Sequence, residues 1–260
     1  MLIGAHVDAD AAIAQAVALG ADIAQVTLGD PQSWRKPTVP GDGAAALRSQ
    51  AEDAGIGLYV HAAYVINVAS TNNRIRIPSR KLLQQTIDAA AGIGANGVIV
   101  HGGHVTADED QRRGYENWRK CVDGLDLKVP ILIENTAGGK KAMMRYLESI
   151  RDLWAAFDGS DNLGGVGLCL DTCHAHAAGL DLTTVVEDVL AVTGRIDLVH
   201  CNDSRDAAGS GRDRHAPLGR GQLDPEVLVA LLRDADAPVM LETPPENHAE
   251  EIAWLREQLG

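Results

Sequence analysis

Eight short runs of apolar residues recur along the chain, each bounded by Gly, Pro, Asp or Asn. They span residues 2–7, 23–28, 57–62, 97–103, 130–136, 166–172, 198–203 and 238–243. Within each run the apolar positions are continuous rather than alternating, the pattern of a strand buried on both faces, as in a parallel sheet. Between the runs lie Ala-, Leu-, Glu- and Arg-rich stretches with helical spacing, including 43–54, 79–93, 142–157, 183–193, 225–234 and 247–259. Asp224-Pro225-Glu reads as a helix start, an Asp cap followed by Pro at the first helical position. Pro78-Ser-Arg-Lys reads as another, and Gly20, Gly55 and Gly94 stand where helices should end.

Eight β–α alternations without a linker or a shift in composition predict one α/β domain over residues 1–260. The last strand is followed by one more helix, which favours a (β/α)8 TIM barrel over an open, doubly wound sheet.

Composition narrows the picture. Aromatic residues make up only 3% of the chain, so Ala, Val, Leu and Ile must fill the core. No apolar run approaches the roughly 18 residues of a membrane span, and the first residues enter a strand with no leader-like pattern. Cys121, Cys169, Cys173 and Cys201 form no Cys-x-x-Cys pair and no disulfide-like framework, and Cys169 and Cys201, inside apolar runs, read as reduced core thiols, the usage of a reducing, cytoplasmic compartment.

The chemistry-bearing residues stand at the carboxyl ends of the runs: His6, His61, His101, Glu134, Asp171, His200 and Glu242. In a barrel these ends converge on the one rim where barrel enzymes hold their sites. His174, Asp213 and His215 follow on rim loops. Imidazole mixed with carboxylate and no obligatory thiolate suits Zn²⁺, with Mn²⁺ or Fe²⁺ as alternatives. Without His6, the remaining nine side chains, five His and four carboxylates, exceed the needs of one tetrahedral ion and match a cluster of two or three, a device suited to phosphoryl chemistry. The net charge of −13 speaks against a nucleic-acid partner at first sight. Three divalent ions add six positive charges, bringing −13 to about −7 and placing a positive focus at the rim.

The segments Ile3-Gly-Ala-His-Val7, Ile133-Glu-Asn-Thr-Ala-Gly138, Leu170-Asp-Thr-Cys-His-Ala175, His200-Cys-Asn-Asp-Ser204, Asp213-Arg-His215 and Leu241-Glu-Thr243 carry a further signal. In this order and spacing the chain resembles endonuclease IV, the zinc-dependent apurinic/apyrimidinic endonuclease family, along its whole length, and with His101-Gly-Gly-His104 it is similar to the shorter actinobacterial branch. The resemblance implies three zinc ions, with Mn²⁺ able to substitute. His61 and His101 would hold the first, with Glu134 bridging to a second completed by Asp171, His200 and Glu242; His174, Asp213 and His215 would hold the third. Glu134, Asp171 and Glu242 would be the catalytic carboxylates. The implied substrate is duplex DNA with abasic sites or blocked 3′ ends, cut by a monomer.

The resemblance also implies that loops wedge into the duplex and flip the damaged nucleotide out. Gln32, Trp34, Tyr64, Val65, Asn67, Arg212, Arg214 and Arg220 are the expected DNA contacts. Asp30 stands where Asn is usual, Gln32 where some members carry Arg, and Val65 where a bulkier Leu is usual, changes that bear on DNA affinity and bending. His6 is expected behind the metal ligands or in the core, Asp203 to orient a ligand histidine or else only to cap the loop after the seventh strand, and His104 and His176 at the rim. His248 and Glu109 are expected to be solvated. Two other readings stay open: a metal-dependent sugar isomerase or epimerase of the xylose-isomerase-like barrels, which needs one ion and no third ligand group, and a barrel that binds damaged DNA or zinc without cutting.

Overall fold

The computed structural model describes residues 1–260. In chain order the elements are β1 (Ile3–His6), α1 (Ala12–Leu19), β2 (Ile23–Val26), α2 (Ala44–Ala54), β3 (Gly57–His61), α3 (Asn73–Gly92), β4 (Gly97–His101), α4 (Arg112–Val122), β5 (Ile131–Glu134) and α5 (Leu147–Ala156). Then come β6 (Val166–Asp171), α6 (Thr172–Ala178), α7 (Val185–Thr193), β7 (Leu198–His200), β8 (Asp203–Ser204), β9 (His215–Ala216), α8 (Pro225–Ala235), β10 (Val239–Leu241) and α9 (His248–Leu259). Eight strands, all parallel, close into a TIM barrel in the order β1-β10-β7-β6-β5-β4-β3-β2. The ring closes because β1 pairs with both β2 and β10. The eight runs read from hydrophobicity are the eight barrel strands, and β8 and β9 form an antiparallel pair outside the ring.

The continuous apolar runs bury two faces against two different cores. The larger core lies between barrel and helices and includes Val60, Val98, Val100, Ile133, Leu168 and Val199. The smaller one consists of Ile23, Tyr59, Ile99, Leu132, Cys169, Leu198 and Met240, one residue from each barrel strand except β1. These residues alternate with the first set, so they point into the barrel. On β1 the corresponding residue is Gly4, where a Cβ would meet the Ile23 carbonyl oxygen at 1.8 Å. Cys169 and Cys201 are buried as their apolar runs imply, and Cys121 and Cys173 are buried too; all four thiols are free.

Several helix boundaries depart from the sequence reading. Helix α3 begins at Asn73, not at Pro78, which lies inside it. The Asn72 side chain caps the helix by accepting from Arg74 N at 2.9 Å, a local bond that outweighs the missing proline N–H one turn later. Helix α5 begins at Leu147 rather than at 142, because Met143 and Met144 are drawn into the core as part of the preceding loop. Helix α4 carries a helical stripe of buried residues, Tyr115, Trp118, Cys121 and Val122, whereas α6, of seven residues, is too short to show one. Trp118 secures α4: its ring is fully buried and its indole N–H donates to the Gly102 carbonyl at 2.7 Å, pinning the chain just past the end of β4.

Candidate metal centre

Side chains on a strand return to the same face every second residue. Two positions beyond the inner-core residues stand Gln25, His61, His101, Glu134, Asp171, His200 and Glu242, and His6 stands two beyond Gly4. The barrel therefore carries an inward layer of apolar residues and, nearer its carboxyl end, a layer of polar ones. The antiparallel pair β8–β9 and the start of α6 bring three more residues over this layer: Asp213, His215 and His174.

These side chains gather into three groups whose donor atoms lie within 4.8 Å of one another: His61, His101 and Glu134; Glu134, Asp171, His200 and Glu242; and His174, Asp213 and His215. Glu134, fully buried, belongs to the first two. Its Oε2 lies 3.2 Å from Nε2 of both His61 and His101, and its Oε1 lies 3.1 Å from His200 Nδ1. Asp213 lies 3.1 Å from Nε2 of both His174 and His215. Cys173 shares a further grouping with Asp171 and His215, although its buried thiol is pushed up to about 12 by burial and then by Asp171.

The histidines are held from behind. His61 Nδ1–H donates to the Ala62 carbonyl, His174 Nδ1–H to the Asn135 carbonyl, and His215 Nδ1–H to the Glu242 carbonyl, at 2.9, 2.9 and 3.1 Å. His200 Nε2–H donates to Gln25 Oε1 at 2.8 Å. Each of the four rings thus turns its other nitrogen toward a carboxylate, the way metal-binding imidazoles are fixed. His215 Nε2 is buried and makes no hydrogen bond, despite its nearness to Asp213. A buried ring nitrogen left without a hydrogen-bond partner is what a metal ion would satisfy, so the residues present fit divalent cations.

Without cations, charge is balanced by protons. Burial alone would lower the imidazoles, but Glu134 raises His61 to about 9 and Asp213 raises His215 to about 9. Burial likewise would raise Glu242, but His200 draws it down to about 2. Burial is opposed at Glu134 by His101 and His200, which hold its carboxyl well below the usual range, whereas burial prevails at Asp171 and raises it.

A family model described as a xylose isomerase-like TIM barrel matches residues 13–258. A probable endonuclease 4 from Mycobacterium ulcerans is 56% identical over 260 residues, covering the whole of both chains. One from Mycobacterium tuberculosis is 55% identical over the same span. The chain belongs to the endonuclease IV family. The crystal structure of endonuclease IV from Thermus thermophilus superposes with a TM-score of 0.85 at 29% identity, covering 100% of this chain and 99% of that one. A D-tagatose 3-epimerase-like protein reaches a TM-score of 0.80 at 17% identity, covering 100% of this chain and 97% of that one, a likeness of fold alone. No helix of this endonuclease IV family member is long and apolar enough to cross a membrane.

Beside the metal groups, a cleft of about 780 Å³ is lined by Trp34, Tyr64, Val65 and Ile75, and also by His101 and Asp213. Trp34 and Tyr64 are 46% and 69% exposed, unusual for rings in a chain that buries Trp118 and Phe157 completely. The Tyr64 ring stands edge-on to His101 at 5.6 Å. Gln32 is exposed on the loop after β2 that also carries Trp34.

Other residues expected at the DNA face also hold local contacts, Asn67 while lining the same cleft. Asn67 donates to the His104 carbonyl and accepts from its N–H, at 3.0 and 3.1 Å, so its amide clasps two loops together. Arg214 makes a two-pronged contact with Asp206 at 2.7 and 2.5 Å, and Arg212 approaches the same carboxylate at 3.4 Å. Both arginines brace the turn between β8 and β9. Arg220 stands 3.5 Å from Glu250, in a separate pocket that no candidate ligand lines. Asp203 does not orient a histidine. Its carboxylate accepts from the backbone N–H groups of Ser204, Gly221 and Leu223, which caps the loop after β7.

His248 is buried rather than solvated, its Nε2–H donating to the Thr243 carbonyl at 2.8 Å where α9 folds back over the end of β10. Glu109 is half-buried and accepts from Thr71 Oγ1 and Thr106 N, fastening its loop. His104 is exposed and His176 half-buried, neither in a metal group.

Three amides escape a search confined to acids and histidines. Asn135 bonds both the N–H and the carbonyl of Asp171. Asn202 donates to Asp171 Oδ2 at 2.6 Å and accepts from Glu242 N. Gln25 touches His6, His200 and Glu242. The period of two, carried to the second strand as to the others, is the signal that would have found Gln25.

Proposed function

We propose that this endonuclease hydrolyses the phosphodiester 5′ to abasic sites in duplex DNA, leaving a 3′-hydroxyl and a 5′-deoxyribose phosphate, and also removes blocking groups from 3′ ends. Residues 1–260 act as one catalytic domain, as a monomer in the cytoplasm. The observation that carries the reading is the set of four histidines fixed on one side by hydrogen bonds to carbonyl oxygens and turned toward carboxylates on the other. The third group, His174, Asp213 and His215, exceeds what a single-ion sugar isomerase requires.

His61, His101 and Glu134 would hold a first zinc, Glu134, Asp171, His200 and Glu242 a second, and His174, Asp213 and His215 a third, with Mn²⁺ able to replace them. Bound there, such ions would supply a water acidic enough to ionise near neutral pH and positive charge for the phosphoryl and leaving oxygens. The chain's own part is to position and to exclude. Glu134 sits at 0% exposure between two groups, so its two oxygens are committed to different neighbours and hold those neighbours at a fixed spacing. Asp171 is anchored through its own backbone by Asn135, and Oδ2 of its carboxylate accepts from Asn202. With Glu242 these are the catalytic carboxylates. Trp34, Tyr64 and Val65, which line the cleft, and Gln32, exposed on the loop that carries Trp34, are the residues that meet DNA bases, aromatic faces stacking against them. Arg212 and Arg214, held by Asp206, support the loop beneath.

The test is a duplex carrying one tetrahydrofuran abasic analogue, which blocks elimination so that only hydrolysis nicks it. One incision 5′ to the analogue, abolished by prolonged chelation and restored by Zn²⁺ or Mn²⁺, is expected. An intact strand with metal-loaded protein refutes the proposal and turns attention to sugar isomerisation.

A further inference from the structure

The polar layer of the barrel has eight positions, and seven are histidine or carboxylate. The eighth, on β2, is Gln25, fully buried. An amide offers two N–H donors and a carbonyl acceptor, and Gln25 uses all of them within the centre. Its Nε2 donates to Glu242 Oε1 at 2.6 Å and to His6 Nδ1 at 2.9 Å, while its Oε1 accepts from His200 Nε2 at 2.8 Å. The orientation is self-consistent: turned end for end, the amide would set its carbonyl oxygen against the Glu242 carboxylate.

We infer that Gln25 is a positioning residue for the second metal group. It holds the His200 proton on Nε2, so that Nδ1 faces Glu134 and Glu242 at 3.1 and 3.2 Å. It also occupies Oε1 of Glu242, leaving Oε2, the oxygen nearest His200, for the ion. The same amide keeps the proton of His6 on Nε2, which joins His6 to the centre without making it a ligand. Unlike a carboxylate in this place, the amide adds no charge to a layer that already holds three acids, Glu134, Asp171 and Glu242. This inference rests on the metal-centre reading proposed above.

The experiment compares the full chain with Gln25→Met, which keeps length and removes all three hydrogen bonds, and with Gln25→Glu, which keeps an acceptor for His200 but opposes Glu242. Zinc per chain is measured against a graded chelator, and the His200 Nε2–H of the zinc-loaded protein is followed by nitrogen–proton NMR. Wild type should hold zinc and protect that proton. Gln25→Met should fold and melt cooperatively, lose about 10–100-fold in affinity for one ion per chain, and lose the protected proton. Gln25→Glu should weaken zinc binding by a similar factor while keeping the proton protected, an outcome that damaged packing alone would not produce. If Gln25→Met fails to fold, the Gln25→Glu pair of readings decides. Wild-type chelator resistance in the folded variants overturns the role of Gln25 alone. Absence of bound zinc in wild type overturns the metal centre, and this role with it.

Discussion

Gly138 follows β5 and packs against the loop that carries Asp213 and His215. A Cβ at position 138 would lie 2.6 Å from the Gly211 carbonyl oxygen, about 0.8 Å short of ordinary contact at 3.4 Å. The barrel side of this contact is the better held, because Asn135 and Thr136, just past β5, donate backbone N–H groups to the Cys169 and Met144 carbonyls and Ala137 is buried. The other side is a glycine-rich turn, with Gly209 and Gly211 at φ 73° and 69°. The turn should therefore yield, moving by somewhat less than an ångström. Metal sites hold their ligand distances to within about 0.2 Å, and a displacement on the order of 1 Å near reacting groups lowers rates by about 100-fold. Gly138→Ala should thus cut tetrahydrofuran-duplex incision by roughly 30–100-fold and release about one zinc per chain, while the melting temperature falls only a few degrees. Gly164→Ala, where a Cβ meets nothing within 4 Å, should behave as wild type. Wild-type incision and zinc content in Gly138→Ala would refute the claim that this contact sets the position of Asp213 and His215.

Zinc binding should release protons, since His61 and His215 stay protonated up to about 9 in the metal-free protein. Affinity should accordingly rise with pH from 6 toward 9, read by calorimetry in buffers of different ionisation enthalpy, and a pH-independent affinity would count against it. Tyr64→Ala removes an exposed ring beside His101 and should raise KM about tenfold, with a smaller effect on kcat, as steady-state incision would report. His248→Ala removes a buried hydrogen bond to the Thr243 carbonyl and should destabilise the fold by about 1–3 kcal/mol in urea titrations. Burial lowers the pKa of His248, so the unfolded chain binds more protons below pH 6.5 and the fold loses stability as pH falls through that range. His248→Gln, which keeps a donor and cannot titrate, should make that loss shallower.

The sequence by itself determined the eight-stranded parallel ring and the line of histidines and carboxylates at its strand ends. Both signals are local: continuous apolar runs specify strands with two buried faces, and a residue's distance from the end of its run specifies the rim. His61, Glu134, Asp171 and His200 could be placed in this way because each closes the strand that contains it. Tertiary structure decided which polar side chains were free to act. Arg214 is held by Asp206, Asn67 by the backbone of His104, and Asp203 by amides as far on as Leu223. Gln25 meets Glu242 across 217 positions. Such pairings arise when loops of unrelated sequence meet over the barrel mouth, and each buried polar group takes whichever partner the closed ring brings within reach.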